Sequence, residues 1–252
     1  MLNHPTADRL RELNLLGMLA AWQEHQEMRD VASLSFEERF GLILDREATT
    51  RANRRLVTRL KRAKLRQDAT LEDIDYSAPR GIDKSLLLSL ASCQWIREQH
   101  NCLITGPTGS GKSYLACALA QKACREGHSA LYLRVPRLFQ ELAIAKGDGR
   151  YTKLLASYAK TQLLLLDDWG TASLTDEQRR DLFEVIEDRY DRRSTLITSQ
   201  VPINNWHQVI GDPTLADAIL DRLVHNAYKI NLQGESMRKK KKGLTDTNPK
   251  NK

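Results

Sequence analysis

The run Gly106-Pro107-Thr108-Gly109-Ser110-Gly111-Lys112-Ser113 has the residue types and spacing to hold a nucleoside triphosphate. Gly106, Gly109 and Gly111 let the backbone curl so that successive N–H groups converge on phosphate oxygens. Pro107, Thr108 and Ser110 complete the loop, Lys112 can reach the β- and γ-phosphates, and the Ser113 hydroxyl can ligate Mg²⁺. A glycine-rich turn arises by chance, so context decides. Asn101 to Thr105 is a short apolar run that reads as a strand, and Tyr114 to Arg125 reads as a helix. Such a helix adds its unpaired N–H groups and partial positive charge to the phosphate cradle. ATP and Mg²⁺ are therefore the expected ligands.

A second group of oxygens closes the run Leu163-Leu164-Leu165-Leu166-Asp167-Asp168. An apolar strand buried among helices presents its terminal acids beside the phosphate loop. Asp167 fits a Mg²⁺ partner, since Mg²⁺ prefers oxygen ligands and keeps several waters. Asp168 then stands where it can orient or deprotonate an attacking water; the plainer reading is a helix cap or a surface acid.

The elements that must position these residues alternate. Strands are expected at Asn101 to Thr105, Ala130 to Arg134, Leu163 to Leu166, Thr195 to Ser199 and Tyr228 to Leu232. Helices are expected at Tyr114 to Arg125, Val135 to Ala145, Glu177 to Tyr190 and Leu215 to His225. Strands separated by helices predict an α/β fold with a parallel five-stranded sheet and a ligand at the strands' C-terminal edge. The first part of the chain reads as helical. Thr6 can cap a helix carrying Leu10, Leu13, Leu16, Leu19 and Ala20, Ser35-Phe36-Glu37-Glu38 matches a capping box, and Thr70-Leu71-Glu72-Asp73 can start a further short helix. Ala78-Pro79-Arg80-Gly81 interrupts the pattern. The expected organisation is a helical unit at 1–77, a linker at 78–84, a nucleotide-binding domain at 85–237 and a basic, disordered tail at 238–252.

The chain has 252 residues, 41% hydrophobic and 28% charged, a composition that suits a globular protein with one good core and a smaller second unit. No apolar run approaches the ~20 residues of a membrane helix. Met1-Leu2-Asn3-His4-Pro5-Thr6 lacks the pattern of a signal peptide, and Cys93, Cys102, Cys117 and Cys124 have no metal-ligand spacing. A cytoplasmic protein with reduced thiols and no membrane partner is the expectation.

The formal net charge is +7. Its placement matters more than its sum. Arg51, Arg54, Arg55, Arg59, Lys61, Arg62, Lys64 and Arg66 follow one another with no acid from Ala48 to Gln67. Leu56 and Leu60 keep helical spacing through the run, so basic side chains can flank an apolar stripe. A mixed charge run is usually a solvated face, but an unbalanced one repels itself unless a polyanion neutralises it. Salt-sensitive DNA binding with little base specificity is expected.

The phosphate loop, LLLLDDWG, STLITSQ, AILDRLVHNAYKINL and GESMR occur in order. Together they resemble the AAA+ ATPases, and closely the IstB-type insertion-sequence ATP-binding proteins, whose clan includes the DnaC/DnaI-type helicase loaders. The resemblance covers residues 85–238 and, more loosely, the helical segment before them. It implies an AAA+ ATPase core that hydrolyses ATP, forms homo-oligomers with ATP at subunit interfaces, binds duplex DNA and recruits or activates a transposase. A replicative helicase loader acting on single-stranded DNA is the alternative. The resemblance also implies a sensor-1 role for Ser199, otherwise a strand-end hydroxyl. It makes Arg222 an arginine finger completing a neighbour's site, otherwise a solvated helix arginine, and gives Arg238 a sensor-2 role at the nucleotide. Asp168 stands where the general AAA+ pattern has Glu, which bears on the hydrolysis rate. Too few residues follow Leu232 for the usual helical lid, so the lid is expected to be absent or truncated. From other classes, a small-molecule P-loop kinase would need an acceptor site, and a non-hydrolysing DNA scaffold would differ in Asp168 alone.

Overall fold

The computed structural model describes residues 4–28, 30–76 and 80–234. It forms two compact units, Met1–Thr58 and Arg59–Lys252.

The first unit is helical: α1 (Pro5–Glu12), α2 (Leu16–Glu27) and the start of α3 (Phe36–Ala63). The sequence stripe from Leu10 to Ala20 is split between two helices, because Asn14 takes a left-handed backbone (φ 55°). Thr6 is not the cap of α1. His4 Nδ1 accepts from the Thr6 N–H (3.3 Å), and Pro5, whose missing donor costs nothing there, opens the helix. Leu15 gives α2 no side-chain cap. Glu47 of α3 supplies one from a distance, accepting the N–H groups of Gly17 (2.7 Å) and Met18 (3.0 Å) and the Arg51 guanidinium (2.7 Å). Burial pushes the Glu47 carboxyl up, but these donors outweigh it and hold it below its ordinary value. A Cβ on Gly17 would stand 2.7 Å from the Glu47 Cα, so only glycine permits this approach. The Ser35–Glu38 capping box forms, with Glu38 N–H to Ser35 Oγ at 3.2 Å and Ser35 N–H to Glu38 Oε2 at 2.8 Å.

The second unit follows the order α4 (Lys84–Ala91), α5 (Gln94–Arg97), β1 (Asn101–Thr105), α6 (Lys112–Arg125), β2 (Ala130–Arg134), α7 (Val135–Gly147), α8 (Tyr151–Lys160), β3 (Leu163–Trp169), α9 (Asp176–Glu187), β4 (Ser194–Ser199), α10 (Trp206–Ile210), α11 (Pro213–Val224) and β5 (Ala227–Asn231). The strands form one parallel sheet in the order β2-β3-β4-β1-β5. Leu163 to Leu166, Leu103 and Ile197 are buried beneath the helices, as a sheet covered on both faces requires. Helix α8 was not among the expected elements.

The division at Thr58 and Arg59 precedes the boundary at 77 expected from the break in pattern at Ala78-Pro79-Arg80-Gly81. The cause is packing within the second unit. Ala63 and Ala69 are buried, the Arg59 Nε donates to the Cys124 carbonyl (2.8 Å), and Arg125 pairs with Glu72 (2.7 Å). No helix starts at Thr70; its hydroxyl and Asp73 exchange hydrogen bonds across a turn instead. Within the expected linker, Ala78 and Pro79 lie outside the described residues, while Asp83 caps α4 through the N–H groups of Ser85 and Leu86. The expected tail at 238–252 also lies outside them. Among the described residues no helix is long and apolar enough to cross a membrane.

Candidate nucleotide site

Strand β1 delivers the chain into the phosphate loop, and β4 separates it from the acid-bearing β3. Gly106, at φ 147°, lies so close to the end of β5 that a Cβ would stand 2.4 Å from the Leu232 carbonyl oxygen. The Leu232 N–H in turn donates to the Thr105 carbonyl (2.7 Å). Loop and strand end are therefore stitched together. Gly111, at φ 99°, is the last residue before α6 and has no side chain to block the cradle. Lys112 Nζ donates to the carbonyls of Gly106 (2.7 Å) and Pro107 (2.9 Å), holding it over the loop. The Ser110 hydroxyl is buried and has no hydrogen-bond partner among the described residues.

The acids sit on an irregular strand. Leu166 is opposite Ile197 and Trp169 opposite Ser199, so Asp167 and Asp168 together oppose Thr198 alone. Asp168 absorbs the extra residue with a left-handed backbone (φ 63°). In a regular strand neighbouring side chains point to opposite faces; a bulge re-aims one of them. Both carboxylates thus come within 3.9 Å of the same atom, Arg66 Nη1. Asp167 is fully buried and accepts from Ser113 Oγ (2.9 Å), Tyr132 OH (2.7 Å) and, through a short contact, Thr198 Oγ1. Burial, before the Asp167 carboxylate, pushes the Tyr132 phenol up, so it remains a donor. Asp168 is bound by Arg134 Nε at 2.7 Å, and its N–H donates to Thr198 Oγ1 (3.3 Å).

Beside these groups opens a cavity of about 380 Å³, the volume of a small-ligand pocket. Thr108, Gly109, Gly111, Lys112, Ser113, Asp168 and Gln200 form its polar wall, and Ile74, Ile82, Leu115 and Leu232 an apolar one. A phosphate chain suits the first and a flat base the second. The Ser113 hydroxyl and the Asp167 carboxylate are hard oxygen donors suited to Mg²⁺, which would draw its remaining ligands from phosphate and water.

Other expected residues fall elsewhere. Ser199 does not face the cavity. Its hydroxyl donates to the Trp169 carbonyl (2.9 Å) and accepts from the Val201 N–H (3.0 Å), while Thr198 and Gln200 on either side face the acids and the loop. Gln200 bonds the Thr108 hydroxyl at 2.6 Å. Arg222 of α11 lies outside the cavity wall; it pairs with Glu187, donates to the Ala218 carbonyl (2.8 Å) and rests on the rings of Phe183 and Tyr190. Arg238 lies outside the described residues. The basic run divides as well. Arg66 belongs to the cavity, Arg59 to the α6 terminus and Arg51 to Glu47, whereas Arg54, Arg55, Lys61, Arg62 and Lys64 are exposed. Sequence reading missed Thr198, Gln200, Tyr132, Arg134 and Arg80. Arg134 ends β2 beside Asp167 in register, a signal available from parallel strand ends alone.

A parallel five-stranded sheet with a phosphate loop after β1 and paired acids on β3 defines an AAA+ P-loop core. The DnaI crystal structure shares this fold, with a TM-score of 0.56 at 22% identity over 66% of this chain and 91% of that one. The DnaC helicase loader does so at 0.54 and 21%, covering 68% of this chain and 99% of the other. Residues 8–245 match the model of the IstB-like ATP binding proteins, and the chain belongs to that family. The insertion sequence ATP-binding protein y4pL of Sinorhizobium fredii is 53% identical over 95% of this chain and 98% of its own. The IS21 ATP-binding protein of Pseudomonas aeruginosa is 34% identical over 83% and 79%.

Proposed function

We propose that this protein is an ATP-hydrolysing helper of DNA transposition. It binds duplex DNA, self-assembles with ATP and recruits or activates a transposase, and hydrolysis resets the assembly. The observation that carries the chemical part is the 2.9 Å bond between Ser113 Oγ, on the wall of the cavity, and the buried Asp167 behind it. The insertion-sequence names of its relatives support the biological part.

Within this reading the loop amides, Ser110 and Lys112 bind the phosphates, and Ser113 and Asp167 hold Mg²⁺, which neutralises phosphate charge when bound. Asp168 orients the attacking water or takes its proton. Gln200, beside the loop, senses the terminal phosphate in place of Ser199. Arg222 completes a neighbour's site once it leaves Glu187, and Arg238 contacts the nucleotide. The protein works in the cytoplasm, and Arg54, Arg55, Lys61, Arg62 and Lys64 meet the DNA backbone.

The test is phosphate release with and without duplex DNA, combined with sizing in ATP and Mg²⁺. Equal release by the wild type and Asp168→Asn would remove Asp168 from the chemistry. Persistent monomers with ATP, Mg²⁺ and DNA would remove assembly. The fold shared with DnaI and DnaC favours a second reading, a replicative helicase loader. Stimulation by single-stranded rather than duplex DNA would select it.

A further inference from the structure

Arg80 is an arginine in an unexpected place. It precedes α4 in a stretch whose composition reads as linker, yet only 9% of it is exposed. Its backbone carbonyl accepts the Gln233 N–H (2.8 Å), tying it to the end of β5. The side chain lines the cavity that holds the phosphate loop. Nη1 lies 3.2 Å from the point a Cβ on Gly111 would occupy, so the guanidinium packs directly on the last glycine before α6. Nη2 is held by the Asp75 carbonyl in a short contact, and Nε is buried with no hydrogen-bond partner. Among the described residues no carboxylate forms an ion pair with it.

A largely buried guanidinium with no carboxylate partner is costly, and a charge-assisted bond from Nη1, the nitrogen that faces the loop, to a phosphate oxygen would offset that cost. Arg80 is placed for such a bond. The opening of α6 gathers anionic oxygens, and Lys112 approaches them from the Gly106 and Pro107 side of the loop. Arg80 approaches from the Gly111 side. We infer that Arg80 is a nucleotide-binding residue, contacting in cis the phosphate oxygens nearest the sugar, which ATP and ADP share. The inference rests on the reading of this cavity as the nucleotide site.

The experiment measures binding of ATP and ADP to the full chain by calorimetry, for wild type, Lys112→Ala, Arg80→Gln and Arg80→Met. Melting without nucleotide is followed in parallel. Arg80→Gln and Arg80→Met are expected to weaken both nucleotides at least tenfold and by the same factor, with melting kept close to wild type. A variant within twofold of wild type for both nucleotides overturns the contact. So does wild-type affinity in Arg80→Met when Arg80→Gln alone melts early, since Arg80 is then only part of the wall. A loss confined to ATP moves the contact to the terminal phosphate and overturns the placement. If Arg80→Gln does not fold, Arg80→Lys, which keeps the charge but loses Nε, is expected to bind both nucleotides at least threefold more weakly; wild-type affinity there also overturns the contact. A wild type that binds neither nucleotide refutes the site itself, a result distinct from any of these.

Discussion

Arg134 Nε donates to Asp168 Oδ2 at 2.7 Å, across the ends of two adjacent parallel strands. The carboxylate assigned to the attacking water is thus engaged by a cation of its own domain, and Arg66 stands 3.9 Å from the same oxygen. A carboxylate held this way is a poor partner for water. Arg134→Ala should raise phosphate release in the absence of DNA threefold or more, while Asp168→Asn and the double variant should abolish it. An unchanged rate in Arg134→Ala would mean that the pair imposes no restraint.

The end of β4 separates two hydroxyls by function. Thr198→Val removes the group that bridges Asp167 and the Asp168 N–H, and should lower ATP turnover at least tenfold. Ser199→Ala removes a hydroxyl spent on the Trp169 carbonyl and Val201 N–H, and should leave turnover within threefold. Steady-state phosphate release on both variants checks the assignment, and the reverse order would return the sensor role to Ser199.

Two glycine substitutions should have opposite signs. Gly106→Ala places a methyl group 2.4 Å from the Leu232 carbonyl at a backbone angle few side chains adopt, at a cost of about 2 kcal/mol or more. Gly41→Ala, in the interior of α3 with open space around it, should stabilise by ~0.5–1 kcal/mol. Urea unfolding of each variant measures both.

Charge reversal at Arg54 and Arg55 should weaken duplex binding tenfold or more and reduce the slope of log affinity against log salt by about 2. The same change at Arg59 is expected to act on folding, since its guanidinium is committed to the Cys124 carbonyl. Fluorescence anisotropy over a salt series, with melting curves for each variant, separates these effects. Unaltered DNA affinity in low salt for the Arg54 and Arg55 changes would clear the exposed residues of this role.

The four cysteines are buried and free. Burial raises the Cys93 thiol from 9.0 to about 11 and Cys102 to about 12. The folded state therefore keeps these protons over a range in which the unfolded state loses them. Their contribution to stability is full below about pH 9 and is lost as pH climbs from 9 towards 12. Urea midpoints should fall steadily through the accessible part of that window, and alkylation at pH 8 should require unfolding. Rapid native labelling would contradict the burial.

The sheet was legible because each strand is an unbroken apolar run between helical stretches, and the phosphate loop because its spacing is specific. Helix α8 was hidden behind Gly147-Asp148-Gly149, which reads as loop. The left-handed turn at Asp168 leaves no trace in composition, since two acids in a row say nothing about which way each points. Arg66 looked like one more member of a basic run, and only the fold brings it to the acids. Arg80 reads as linker for the same reason: proline and glycine nearby mark a break in periodicity, not exposure.

The contact between Gly106 and the Leu232 carbonyl also has a mechanical side. Leu232 bonds back to Thr105, and the next residue, Gln233, bonds to Arg80. Tension on the chain just past β5 would therefore pass within two residues to the floor of the phosphate loop and to the arginine above it.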